Sequence, residues 1–222
     1  GGRGGGMVCL EGAGSLSHLS LRNKPDVFNE PMAFSALCVK GQKNTARVLE
    51  GPVPGWKIFG APGTGNGGNG KNYGLPRCDQ AEFLARFPFA EVKLSDPGIP
   101  LEMTLVGWSP FIPGDADNSS LPVAALEYRF VNRSKKPVEA VYSFHARNFM
   151  SVEKVPGKEV LATANGFILR QPGSKEQPWA QGAFSACIED KNVKVNACWF
   201  RGGWFDALTL IWKSIAAGAA PA

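Results

Sequence analysis

The chain has 222 residues, of which 44% are apolar and 19% charged, a balance typical of a folded globular protein rather than a disordered one. Its 27 glycines and 17 prolines fall between short apolar runs, which favours short strands joined by turns over long helices. The net charge of +5 is spread out, and no basic cluster exceeds the pair Lys135–Lys136, which argues against a nucleic-acid groove.

The first third of the chain contains two predicted strands and one long loop. MVCL and FSALCV are short apolar runs bounded by glycine or polar residues, as strands are. Residues 51–76 are predicted to be mostly loop, and GNGGNGKN within them comes within one residue of the phosphate-binding pattern GxxxxGK[ST]. Asn72 stands where that pattern needs a hydroxyl, so a flexible loop is favoured over a nucleotide site.

The middle of the chain gives the clearest strand signals. FPFAEVKL and PLEMTLVGW are separated by a turn and are predicted to pair or lie side by side. Period-two alternation predicts strands near 101–108, 123–132 and 138–147, and the last two are expected to form a hairpin across RSKKP. In the strand near 138–147, His145 is predicted to lie on the polar face.

The last third predicts three more strands and a helix. GFILRQ, GAFSACIED and VKVNACWF continue the strand pattern, whereas residues 205–216 have helical spacing and Gly218 follows them as a C-terminal cap. The apolar run at this end contains Asp206 and Lys213 and falls short of the ~20 residues that a membrane span needs. The pattern therefore predicts a single all-β domain over residues 1–222. Its expected fold is an antiparallel β-sandwich with one short C-terminal helix, ending before its closing strands.

Metal, cofactor and triad chemistry find little support. The five cysteines lack CxxC spacing and favour free thiols in a reducing compartment such as the cytoplasm, with one disulfide left as an alternative. Asp115 and Asp117 have a calcium-like spacing, but Ser120 replaces the glycine of an EF-hand, and a tight turn held by local hydrogen bonds is favoured. His18 and His145 have no evident nucleophile nearby, so we expect no hydrolytic triad, no bound metal and no cofactor.

The segment WSPFIPGDADNSSLP carries the candidate site. Its prolines exclude a regular strand, so it is predicted to be an ordered loop at one end of the sandwich, with residues 115–120 as its polar tip. Its apolar residues could face another domain or a substrate rim, or they could close this domain's own core. The interdomain or substrate-rim candidates are Trp108, Phe111, Asp115, Asp117 and Ser120. Aromatic residues beside glycine or proline could likewise stack on sugars or anchor a domain, core packing being the alternative; they are Trp56, Trp108, Phe111, Trp179, Trp199 and Trp204.

Three segments resemble a known family. The opening GGRGGGMVCLEGAGSLSHLSLRN has the family's glycine-rich entry, although Arg3 departs from the usual apolar residue. The block from FPFA through IPLE and WSPFIP to the DNSSLP segment matches in order and spacing, and WFRGGWFDALTLIWK matches near the end. Together they resemble the N-terminal β-sandwich domain of family 116 glycoside hydrolases, the non-lysosomal glucosylceramidase-like β-glucosidases.

The resemblance implies a division of labour. In that family the sandwich precedes a helical (α/α) barrel, which supplies the glutamate nucleophile and the aspartate acid/base of a retaining β-glucosidase. The resemblance therefore implies that this chain has no catalytic residue. Its partner would be the C-terminal catalytic domain of the same protein, and the parent's substrate would be a β-glucoside or related glycoconjugate. A free-standing carbohydrate-binding or protein-interaction module is the alternative.

Overall fold

The computed structural model describes residues 6–16, 18–26, 33–54, 75–199, 202–203 and 206–219. Within these residues the chain forms thirteen strands, and every pair of neighbouring strands is antiparallel. The strands are β1 (Met7–Cys9), β2 (His18–Leu21), β3 (Lys24–Asp26), β4 (Ala33–Val39), β5 (Ala46–Val48), β6 (Gln80–Arg86), β7 (Phe89–Ser95), β8 (Leu101–Trp108), β9 (Ala125–Asn132), β10 (Ala140–Ala146), β11 (Glu159–Ala162), β12 (Gly166–Gln171) and β13 (Gly182–Cys187). The helices are α1 (Ala116–Ser119) and α2 (Ala207–Ala216), with a 3₁₀ turn at Pro178–Ala180.

Two of the four sheets face each other and form the sandwich. The sheet β10-β4-β5 packs on the four-stranded sheet β6-β7-β8-β9 through a buried cluster that includes Leu37, Val39, Val92, Met103 and Leu105. The alternation of β8 places Met103 and Leu105 inward, as the period-two pattern predicts. The all-β antiparallel sandwich is therefore confirmed. The sheets β1-β2-β3 and β11-β12-β13 complete the described part.

Strand β4 is the centre of the packing, because both of its faces are covered. All seven of its residues are buried. Its odd-numbered residues face the sandwich, whereas Phe34, Ala36 and Cys38 contact Ile211 and other apolar residues of α2. A strand buried on two sides needs apolar residues at nearly every position, which explains the continuous run AFSALCV.

The C-terminal helix is short and is terminated by Gly218, as predicted, and it is also capped at its N-terminus. The carboxylate of Asp206 accepts hydrogen bonds from the backbone N–H of Leu208 (3.0 Å) and from the hydroxyl of Thr209 (2.7 Å). Gly218 follows the helix with a φ of 63°, a conformation that favours glycine. No helix among the described residues is long and apolar enough to cross a membrane.

The predicted strands 101–108, 123–132 and 138–147 are confirmed as β8, β9 and β10, but the predicted hairpin is wrong. β9 pairs with β8 and β10 pairs with β4, so the intervening connection crosses from one sheet to the other. Tyr128 and Tyr142 therefore meet across the sandwich, with ring centroids 5.2 Å apart. Alternation is the same for two strands that pair and for two strands that face each other across a core, so the pattern could not distinguish these cases.

Two further expectations need correction, and one lies outside the described residues. VKVNACWF forms no strand over residues 193–199; there the side-chain oxygen of Asn196 accepts from the backbone N–H of Cys198 (2.9 Å), a turn that competes with strand pairing. His145 is on the face opposite Tyr142 but is buried, because Trp199 and Phe34 cover that face. The GNGGNGKN segment, Trp56 and Trp204 fall outside the described residues.

Candidate functional site

Four aromatic side chains form an exposed surface at one end of the sheet β6-β7-β8-β9, here called the aromatic end surface: Phe87, Phe89, Trp108 and Phe111. Phe87 lies in the β6–β7 turn, while Phe89 at the start of β7 pairs in register with Trp108 at the end of β8. The rings of Phe87 and Phe111 meet edge to face with centroids 4.7 Å apart, and those of Phe89 and Trp108 are 6.4 Å apart. Strand register and a tight turn thus bring together rings from two segments of the chain, residues 87–89 and 108–111.

The aromatic end surface is open to solvent rather than part of the core. The exposed fractions are 79% for Phe87, 50% for Phe89, 40% for Trp108 and 48% for Phe111. Further exposed apolar side chains come from the same loop and from β6, namely Ile112, Leu121, Val123 and Leu84. The aromatic residues of this loop therefore do not close this domain's own core.

The loop that carries Phe111 is held by its own hydrogen bonds. Asp115 caps the short helix α1, since its carboxylate accepts from the backbone and side-chain N–H groups of Asn118. The Ser119 hydroxyl accepts from the backbone N–H of Ile112 (2.8 Å) and donates to its carbonyl (3.1 Å). Hydrogen bonds from Asn118 hold the pKa of Asp115 below its usual range. The predicted tight turn with local hydrogen bonds is confirmed.

The five candidate residues occupy different positions on this one loop and strand end. Trp108 and Phe111 belong to the aromatic end surface, whereas the carboxylate of Asp115 is taken up by capping. Asp117 and Ser120 are exposed at the polar tip, where the backbone N–H of Ser120 donates to the Asp117 carbonyl. Across the part of the chain that the structure describes, no cluster of three or more His, Cys, Asp or Glu side chains could hold a metal ion.

The candidate set did not include Phe87 and Phe89, although they supply half of the rings. The signal for them was the tripeptide FPF at 87–89, between two strands. A turn of only two residues between paired strands cannot bury the side chain at its tip, so Phe87 had to face solvent once β6 and β7 were recognised as a hairpin.

Ser143 and His145 are hydrogen-bonded to each other on the face of β10 opposite Tyr142, which corrects the expectation that His145 has no evident nucleophile nearby. Ser143 Oγ lies 2.8 Å from His145 Nε2. The imidazole stacks on Phe34 at 5.0 Å, and burial lowers its pKa to about 4. No carboxylate among the described residues accepts a hydrogen bond from His145, so the pair lacks the third member that orients the base of a triad.

Other buried polar groups tie the sheets together. Arg47 of β5 makes a bidentate ion pair with Asp96 after β7, Nε to Oδ2 at 2.7 Å and Nη2 to Oδ1 at 3.2 Å, and so joins the two sheets of the sandwich at one side.

Burial raises the pKa of Cys78 to about 12, so its thiol stays protonated. All five cysteines are free thiols, as predicted, and two of them are buried.

A shallow open depression of about 480 Å³ lies beside β6. Among the described residues it is lined by Gly12, Ala13, Pro52, Gln80, Ala81 and Glu82. Glu82 is the one carboxylate in that lining. The described part of its lining therefore does not hold the facing pair of carboxyl groups that glycoside hydrolysis needs.

Comparison with known proteins adds one match. The sequence matches, over residues 1–220, the family model described as beta-glucosidase 2, glycosyl-hydrolase family 116 N-term. The matched span includes every described strand and helix, and with them the whole of the aromatic end surface. No curated protein sequence matches the chain.

Proposed function

The chain belongs to the family of N-terminal domains of family 116 glycosyl hydrolases, and from this we propose that it is the non-catalytic β-sandwich of a retaining β-glycosidase. In this proposal residues 1–222 belong to a single domain that packs against a helical (α/α) catalytic domain of the same protein and supports it. The substrate of that protein is a β-glucoside or a related glycoconjugate. The domain itself uses no cofactor.

The observation that carries the proposal is the exposure of the aromatic end surface. Side chains of this size bury about 150–250 Å² each when covered, so their exposed fractions correspond to on the order of 400 Å² of apolar surface from the four rings. An apolar patch of this size is comparable to the largest that a typical monomeric protein exposes, and such patches are often functional. For a domain of a larger enzyme, the neighbouring domain of the same chain is the nearest partner.

The polar tip beside the rings fits the same role. Interfaces commonly have an apolar centre and a hydrogen-bonded polar rim. Asp117 and Ser120 lie exposed on a loop that is already rigid, so they can form hydrogen bonds across an interface without a large loss of conformational entropy. We therefore assign them to the rim of the interdomain contact, next to the entrance of the substrate site.

The catalytic groups are assigned to the partner domain. Retaining hydrolysis requires a nucleophile and an acid/base whose carboxyl groups lie about 5 Å apart across the scissile bond. Accordingly, the purified chain is expected to show no turnover of an aryl β-glucoside, whereas the intact protein hydrolyses it. Turnover by the chain alone that disappears in its Glu82→Gln variant would overturn this assignment.

The packing role is tested with Phe87→Ser and Phe111→Ser, each in the chain alone and in the intact protein that contains the helical domain. Because both rings are exposed in the sandwich, the chain alone should change in stability by no more than about 0.5 kcal/mol. The intact protein should lose about 2 kcal/mol or more of interdomain stability, because central aromatic residues dominate interfaces.

Leu161→Ser is the matched control, since Leu161 is a similarly exposed apolar residue on β11 outside the aromatic end surface. It should leave both forms unchanged in a thermal-unfolding measurement. If Phe87→Ser and Phe111→Ser shift both forms equally, the rings serve only the sandwich and the proposal is wrong.

The rim is tested with Asp117→Ala, because the Asp117 side chain does not cap α1. Reduced activity of the intact protein together with an unchanged melting temperature of the chain alone is the expected outcome. Equal destabilisation of both forms would instead assign Asp117 to the fold of the loop.

A further inference from the structure

Trp179 is an exposed aromatic residue outside the aromatic end surface. It lies at the centre of the 3₁₀ turn Pro178–Ala180, between β12 and β13, and 59% of its surface is exposed. Within the described part of the chain, its indole N–H donates no hydrogen bond and no aromatic ring contacts it. One face of a large ring and one hydrogen-bond donor are thus open to solvent.

The turn beneath Trp179 is fixed from inside the protein. The next residue, Ala180, is completely buried, and its carbonyl accepts hydrogen bonds from Nε (3.1 Å) and Nη2 (2.7 Å) of Arg22. The same guanidinium donates to the carbonyl of Met150 (3.0 Å). Gly182 allows this close packing, because a Cβ there would lie 2.8 Å from the Met150 side chain and 2.9 Å from Arg22. Two distant parts of the chain, at Arg22 and Met150, therefore hold the turn.

The other side of the turn is closed by its own hydrogen bonds. The backbone N–H of Gln177 donates to the Ser174 hydroxyl (3.0 Å), and the N–H of Ala180 donates to the Gln177 carbonyl (3.1 Å). The turn backbone is thereby fixed on both sides while the Trp179 side chain is left outside. A ring presented on a fixed backbone loses little conformational entropy when a ligand stacks on it.

The polar surroundings distinguish Trp179 from the aromatic end surface. Ser174 and Gln177 precede the turn in the sequence and Gln181 follows it, so a hydroxyl and two amides lie within five residues of Trp179 along the chain. A protein partner is held by a broad apolar patch with a polar rim, which one tryptophan does not supply. A single aromatic face beside hydrogen-bonding amides matches one sugar ring, which is apolar on its faces and polar at its edge.

We propose that Trp179 is the stacking platform of a carbohydrate-binding subsite that takes a β-linked glucosyl unit. In a β-glucosyl ring all hydroxyl groups are equatorial, so its two faces carry only C–H bonds. The electron-rich face of the indole attracts those C–H groups. The indole N–H and the amides of Gln177 and Gln181 can then bond to the hydroxyl groups at the edge of the sugar. The choice of a glucoside rests on the family description, whereas the site itself rests on the geometry of the turn.

The test is a saturation-transfer NMR titration of the 222-residue chain with cellobiose. We expect the ring C–H protons of one glucosyl unit to receive magnetisation in a saturable manner, with a dissociation constant on the order of 1 mM. Trp179→Ala should reduce the effect at least tenfold, and Trp179→Phe, which keeps an aromatic face, should retain part of it. Phe83→Ala is the matched control, because Phe83 is a half-exposed aromatic residue of β6 outside the aromatic end surface, and it should bind as the unchanged chain does.

The same titration contains the outcomes that overturn the proposal. Undiminished transfer in Trp179→Ala, or transfer lost in Phe83→Ala instead, would place sugar binding elsewhere. An absence of saturable transfer in the unchanged chain would remove the subsite altogether. Because cellobiose binding is measured without the helical domain, failure here leaves the interdomain proposal unaffected, and failure of that proposal leaves this one unaffected. A thermal melt of Trp179→Ala, expected to match the unchanged chain, excludes loss of folding as the cause.

Discussion

Replacement of His145 by phenylalanine should flatten the acid side of the stability profile. In the folded chain burial lowers the imidazole pKa to about 4, whereas an unfolded histidine titrates near 6.5. Between these two values the unfolded chain binds more protons than the folded chain, so stability falls as the pH is lowered through this window. The ring must be neutral to remain stacked on Phe34 and beside Trp199.

The magnitude follows from the two pKa values. One pKa unit corresponds to about 1.36 kcal/mol, so the histidine should remove about 2 kcal/mol of stability by pH 5 and about 3 kcal/mol below pH 4. His145→Phe keeps a ring against Phe34 but cannot be protonated. It gives up the hydrogen bond to Ser143, a residue that water can reach.

Urea unfolding of both proteins at about pH 7, 6 and 5, followed by tryptophan fluorescence, measures the effect. The unchanged chain should lose about 2 kcal/mol between the extremes, and His145→Phe should lose much less. Every other titratable group is common to both proteins, so the difference between the two curves isolates residue 145. Parallel decline of the two curves would refute the assignment of this acid sensitivity to the buried imidazole.

Two further predictions follow from burial. Leu105→Ala should lower the free energy of unfolding by about 2–5 kcal/mol in a denaturant titration, because Leu105 is fully buried between the facing sheets. Leu84→Ala on the exposed face should lower it by about 0.5 kcal/mol or less. Equal losses would contradict the described core. In the folded chain an aromatic disulfide reagent should label exposed Cys187 but leave Cys78 unlabelled until the chain unfolds, because Cys78 is buried and its pKa is raised to about 12. Mass spectrometry of the labelled peptides measures the two labelling rates, and equal rates would contradict the prediction.

Local patterns identified most strands, because a strand with one buried face has an apolar residue at every second position. The alternation around Leu105 predicted both ends of β8 correctly. Gly218 marked the end of α2, because glycine readily adopts the positive φ found there. Pairing partners are a different matter. β10 has the alternation of a hairpin partner for β9, yet it pairs with β4, which lies far away in the sequence. Alternation states which face is buried and carries no information on what buries it.

The candidate site was predictable in part for the same reason. Trp108 and Phe111 stood out because prolines exclude a strand after β8, so their segment had to be a loop. Phe87 and Phe89 reach the same surface only through the register of β7 with β8, which is a tertiary property. The burial of His145 likewise depends on residues 34 and 199, distant from it in the chain, so a local polar pattern misplaced it.

The two-sided burial of β4 has a consequence for how the chain is made. The strand is synthesised before the elements that cover its two faces: its sandwich face packs on residues of β7 and β8 such as Val92 and Leu105, and on its other face Cys38 meets Ala216 across 178 residues. During synthesis the apolar segment AFSALCV therefore leaves the ribosome long before either of its covers exists. A nascent chain in this state exposes an apolar strand whose β10 edge is still unpaired, the kind of segment that aggregates or recruits chaperones. Ribosome-bound chains that end before β10 should accordingly bind a general chaperone, and should release it once α2 has emerged.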